Sequence, residues 1–172
     1  MLEKFRAQAR GRRAARRTHA DYTGGVYGSL LAASVVVGAG TLGAFPRLEL
    51  ALLLLATGVV FWLAHVHAQL FGARMAQRTL NRATVLHVCR EEWPIVEAAV
   101  PSTVAVLVSP LLGLDIQGAS WLALAVALIS QMGWATAAAR RAGAVRRQVV
   151  LTDAVNLVIG LLIVALKFAL KH

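Results

Sequence analysis

The chain has 172 residues, of which 58% are hydrophobic and 15% charged, and its formal net charge is +10. Soluble domains usually carry about 25% charge and 45–50% apolar residues, so this composition argues against a water-solvated globule. Long stretches carry no charge and the basic residues gather between them, which is the pattern of a chain solvated by lipid.

A basic balance alone also fits nucleic acid. Here, however, the Lys and Arg residues flank apolar spans, where they meet anionic headgroups and set orientation. The lipid bilayer and its anionic headgroups are therefore the expected partners, and nucleic acid is not. The single cysteine, Cys89, rules out an internal disulfide. It falls in a segment expected in the cytoplasm, where a thiol stays reduced.

Residues 1–20 read as a basic cytoplasmic arm carrying Lys4, Arg6, Arg10, Arg12, Arg13, Arg16 and Arg17. Its Ala and Arg content fits either a helix on the inner leaflet or a loose tail held by charge. No short apolar core with a small-residue cleavage site follows, so the next apolar stretch reads as a retained anchor. Residues 21–172 then form one transmembrane helical domain. Its first span, about 22–45, is rich in Gly, Ala and Ser. Gly24, Gly28 and Ala32 stand four apart, a small-residue face that lets a neighbouring helix approach closely.

The second span covers about 48–70 and places Trp62, His65 and His67 toward its end. A polar connector, 72–92, follows with Arg74, Arg78, Arg82 and Arg90. In it, Asn81 or Thr84 is a candidate cap for a helix through Val85, Val88 and Trp93 that lies along the membrane before bending at Pro94. The third span, about 95–114, contains Pro101 and Pro110 and is expected to kink, because proline leaves carbonyls without their helical donors. The fourth span is about 119–139 and the fifth about 149–170.

Orientation follows from the basic residues. Seven lie in 1–20, four in 72–92 and four in 140–148, against Arg47, Lys167 and Lys171 on the other side. A split of fifteen to three places the N-terminus inside and the C-terminus outside. The expected fold is an all-α integral membrane protein, a bundle of five transmembrane helices in the cell membrane. Lys167, near the outer end, is expected to snorkel to the headgroups.

Ionisable groups inside spans are costly and are functional candidates by default. His65, Glu97, Gln131, Asp153 and Asn156 all fall in the cytoplasmic half of their spans, so one reading is a shared inner polar pocket in which His65, Glu97 and Asp153 exchange protons or bind a cation. The alternative is interfacial placement, with Asp153 favoured by a helix N-terminus and Glu97 paired with Arg90 or Arg140. The basic residues Arg12, Arg13, Arg16, Arg17, Arg74, Arg78, Arg82, Arg140, Arg141, Arg146 and Arg147 form the expected lipid-facing surface. His65 and His67 are two apart, so on an intact helix they point about 200° apart and cannot chelate one metal. No metal, no cofactor and no enzymatic activity is expected, since no phosphate-binding loop, G-x-S-x-G or H-E-x-x-H occurs.

The stretches FWLAHVHAQ (61–69), REEWPIVEAA (90–99) and LIVALK (162–167), with the Ala, Arg, Val and Leu bias, resemble small integral membrane proteins of high-GC, actinobacterial-type bacteria. In that group the AHV segment is often followed by Tyr, where this chain has His67, which leaves His65 the better candidate. The lysosomal potassium-channel family also carries a Trp and a His late in its second span, but its Phe-Ser-Asp motif is missing here. Two function classes follow. The first is a small channel- or transporter-like protein with a cytoplasm-facing pocket. The second is a non-transporting structural or regulatory protein that acts through its basic surface on lipids or partner proteins. Small-residue faces also suggest a homo-oligomer or a membrane-protein subunit.

Overall fold

The computed structural model describes residues 22–39, 44–75 and 81–171. Among the described residues every regular element is helical. Helix α1 covers Tyr22–Gly38 and α2 Pro46–Met75. Next come α3 (Arg82–Glu91), α4 (Pro94–Glu97), α5 (Val100–Val108) and a 3-10 turn at Ser109–Leu112. Helices α6 (Ile116–Arg141) and α7 (Arg146–Lys171) complete the order.

Among the described residues four helical paths are long and apolar enough to cross a membrane by length and composition: Pro46–Met75, Arg82–Leu112, Ile116–Arg141 and Arg146–Ala169. The 30 residues of α2 reach about 45 Å at 1.5 Å per residue, longer than a hydrocarbon core of about 30 Å. The described part of α1 is shorter, and the residues between it and Ala44 lie largely outside the described set.

The segments form where local chemistry dictates. The Asn81 side chain accepts from the Thr84 N–H at 2.8 Å, so Asn81 is the cap of α3 and Thr84 is not. Asp115 caps α6 by accepting from the Gly118 N–H at 2.7 Å. The third span is segmented as its prolines require. Pro94, Pro101 and Pro110 each sit in the first turn of α4, α5 and the 3-10 turn, where a missing N–H does least harm. Gly113, at φ 67°, ends the turn, a left-handed conformation that glycine adopts without strain. Arg47 then ties the start of α2 to this end, with Nη2 donating to the Leu114 carbonyl at 2.6 Å.

Burial follows helical period, but with polarity inverted. On α7 the sheltered face carries Asp153, Asn156, Gly160, Ile163 and Lys167. The exposed face carries Leu151, Val155, Val158, Leu162 and Leu166. An outer surface this apolar fits a lipid solvent and would associate in water.

Helix α1 packs against α2, α4 and α6. Its face Gly24–Gly28–Ala32 is buried, as the four-residue spacing implied. A Cβ built on Gly28 would lie 2.5 Å from the Ile95 carbonyl oxygen and 2.8 Å from the Ala98 Cβ. One built on Gly25 would strike the Trp134 ring at 2.3 Å. Below this contact, Ala33, Val36, Leu50, Leu54, Val106, Leu124 and Ala127 form the closed core.

Gly28→Ala pushes a methyl into backbone that cannot swing away, and overpacking of this kind costs about 1–3 kcal/mol. Gly38 has nothing within 4 Å of an added Cβ, so Gly38→Ala should stay within about 0.5 kcal/mol of wild type. Unfolding curves of the two variants in one detergent check this; equal stability of the two contradicts the packing described.

Candidate functional site

Helices α6 and α7 run antiparallel in a steady register. Trp121 meets Lys167, Leu128 meets Gly160, Gln131 meets Asn156 and Thr136 meets Asp153. The last two pairs bring three of the expected site residues together. Gln131, 1% exposed, donates from Nε2 to Asn156 Oδ1 at 2.8 Å. Asn156 donates in turn to the Thr152 carbonyl at 2.9 Å. Thr136 Oγ1 donates to Asp153 Oδ1 at 2.8 Å. These contacts make a polar clasp between two helices, in which Asp153 is held by a neutral hydroxyl.

His65 lies elsewhere. Its Nδ1 is 3.0 Å from the Phe61 carbonyl oxygen. A carbonyl only accepts, so Nδ1 is the donor in this contact. The imidazole lies 5.0 Å, centroid to centroid, from the Tyr27 ring. It lines a cleft of about 370 Å³ with Thr23, Gly24, Tyr27, Gln69, Glu92 and Ile95. Across this cleft Gln69 Nε2 donates weakly to Glu92 Oε1 at 3.4 Å.

A second cleft, of about 440 Å³, lies on the other side of α1. Tyr22, Thr23, Val26, Tyr27 and Leu30 form one wall, Ala135, Ala138, Ala139 and Ala142 the floor, and Thr152 and Asn156 the far wall. Thr23 and Tyr27 line both clefts, so α1 is the partition between them.

Glu97 lines neither of these two clefts. It stands on an exposed stripe with Trp93, Val100, Val104 and Leu107, because Ile95, Val96, Ala98 and Ala99 take the inward positions of this turn. Among the described residues no ion pair joins it to Arg90 or Arg140. His65, Glu97 and Asp153 thus occupy three different environments. Lys167 corrects an expectation. It does not reach outward but is 9% exposed, with Nζ 4.6 Å from the Trp121 ring centroid, a cation–π contact.

The connector is only partly as anticipated. Helix α3 forms, and it is fastened to α2: the Trp62 indole donates to the Cys89 carbonyl at 2.9 Å and packs edge-on against Trp93 at 5.5 Å. Cys89 is a half-buried free thiol. His67 is exposed and stacks on Phe71 at 6.5 Å. Among the described residues no group of three or more His, Cys, Asp or Glu is placed to hold a metal.

Arg74, Arg82, Arg140, Arg141, Arg146 and Arg147 are all exposed or at helix ends. They gather at the end of the bundle that holds both clefts, called here the basic end. Arg141 lies over the Tyr22 ring, its Cζ 5.3 Å from the centroid. Arg12, Arg13, Arg16, Arg17 and Arg78 lie outside the described residues. Sequence reasoning missed Tyr27, Glu92 and Thr136. Glu92 sat in what read as connector, and nothing in the pattern marks an isolated Tyr or Thr. No known family model, no curated protein and no solved structure matches this chain.

The clasp gives a direct test. Interhelical hydrogen bonds in membrane proteins couple by about 0.6 kcal/mol on average and up to about 1.7. A double-mutant cycle with Gln131→Leu and Asn156→Leu should return a coupling within that range. A value of zero would mean that the two amides do not meet.

Proposed function

We propose that this chain is a five-span protein of the cell membrane, N-terminus inside and C-terminus outside. In this reading it is a non-transporting structural or regulatory protein whose basic end engages anionic headgroups. The fifth span is the one to which α1 (Tyr22–Gly38) belongs. The fifteen-to-three split of basic residues supports the orientation. One observation carries the function: His65, Glu97 and Asp153 do not converge. One lies in a cleft, one on an exposed stripe and one in a clasp. A conduit needs such groups along one continuous path, and here α1 fills the space between them while the opposite half is packed hydrocarbon. The arginines, by contrast, stand together and exposed.

A second reading, a channel- or transporter-like protein with an inward-facing vestibule, is favoured by one feature. The two clefts share Thr23 and Tyr27, so a movement of α1 would join them and bring His65 toward Asn156.

Two measurements separate the readings. In liposomes, proton and monovalent-cation flux should not exceed that of empty vesicles, and His65→Ala and Asp153→Asn should change nothing. Flux that both substitutions reduce supports the vestibule instead. In intact cells, an impermeant maleimide should label Leu111→Cys, which is 84% exposed as leucine, in a Cys89→Ser background. Gln148→Cys should react only after permeabilisation. The reverse result inverts the topology.

A further inference from the structure

The larger cleft has a cause in the sequence. Ala135, Ala138, Ala139 and Ala142 recur at one-turn intervals and form its floor. Methyl side chains there leave a trough that α1 and α7 do not close, because each is fixed elsewhere. Helix α1 is seated by Gly25 against the Trp134 ring, and α7 is held by the Gln131–Asn156 and Thr136–Asp153 hydrogen bonds. The remaining volume is about 440 Å³.

The trough is chemically sorted along its length. Val26, Leu30 and the alanines offer only hydrocarbon. Asn156 already accepts from Gln131 and donates to Thr152; Tyr22, Thr23, Tyr27 and Thr152 are the other polar residues of a lining that is otherwise apolar, and apolar lining favours hydrocarbon over water. Ala142 and Tyr22 mark the end where Arg141 lies over the Tyr22 ring at 5.3 Å. Arg140, Arg146 and Arg147 stand exposed on the same hairpin, and residues 140–148 contain no acid.

We infer that this groove holds one acyl chain of an anionic phospholipid, with the phosphate on Arg141 at its mouth. The inference rests on the reading of the basic end as a headgroup-binding surface and assigns that surface a specific seat. An arginine fork matches phosphate bidentately. The groove runs from Tyr22 to Leu30 along α1, about 12 Å at 1.5 Å per residue, close to the depth of one leaflet, about 15 Å. The chain's own first twenty residues are a poor occupant, since they carry seven basic side chains and one acid and would meet the arginines with like charge. A zwitterionic lipid lacks the net charge that the mouth selects.

Native mass spectrometry of the full chain in detergent, titrated with phosphatidylglycerol or phosphatidylcholine, tests this. One phosphatidylglycerol should be retained in preference to phosphatidylcholine. Arg141→Gln should weaken that retention on the order of fivefold, as expected for one basic residue near a headgroup. Ala138→Leu, which fills the floor, should abolish the retained lipid; Val26→Phe does the same from the opposite wall if the first variant folds poorly. Melting temperature reports folding in each case. If both filling variants fold and retain phosphatidylglycerol while Arg141→Gln weakens it, the groove is overturned and the headgroup reading stands. If wild type retains both lipids equally, or neither, both are overturned.

Discussion

The close approach of α1 to α4 is the constraint on which the rest of the architecture depends. Gly28 brings the two backbones to a separation that admits no side chain, with the Ile95 carbonyl 2.5 Å from where a Cβ would stand. In lipid there is no hydrophobic drive between helices, so association relies on such contact. Gly25 repeats the arrangement on the adjacent face against Trp134. Glycines on two faces let one helix fit between α4 and α6 at once. Bulkier residues there would hold α4 and α6 apart.

The rest of the bundle is arranged around an apolar solvent. Helix α7 turns its polar residues inward and leucines and valines outward, the reverse of a soluble amphipathic helix. Its inward polar groups are matched to α6 in register, Thr136 to Asp153 and Gln131 to Asn156. Each bond is modest in size, but each also removes a polar atom from contact with hydrocarbon, where an unmet group is costly. Lys167 follows the same logic at the other end. Its ammonium lies over the Trp121 face, and the ring quadrupole offsets part of the loss of water.

Much of this was legible in the sequence, for physical reasons. Membrane spans announce themselves by length and absence of charge, caps by side-chain chemistry at Asn81, and close packing by small residues four apart at Gly24, Gly28 and Ala32. What could not be read was facing. A residue's span fixes its depth, but its rotation depends on which neighbour packs against it. Glu97 illustrates this: ionisable groups usually turn inward, yet Pro94, Ile95 and Val96 are seated against α1 and α2, and Glu97 takes the outward position that remains. The contact of His65 with Tyr27 was hidden similarly, since it depends on how α1 packs against α2.

The two ends of the bundle differ in a way that bears on function. Away from the clustered arginines, Ala33, Leu50, Leu54, Val106 and Leu124 pack as one buried cluster. Toward them, packing gives way to two clefts separated only by α1. Evenly packed helices would have matched side-chain volume at both ends. Here the alanines of the last turns of α6 decline to fill the space just where positive charge collects. Room for hydrocarbon beneath a cationic rim is what an anionic amphiphile requires, whereas an ion path would need polar lining carried through to the closed end. At the other end Ser109 and Arg47 are committed to joining α2 to the end of the third span, and Lys167 lies over the Trp121 ring.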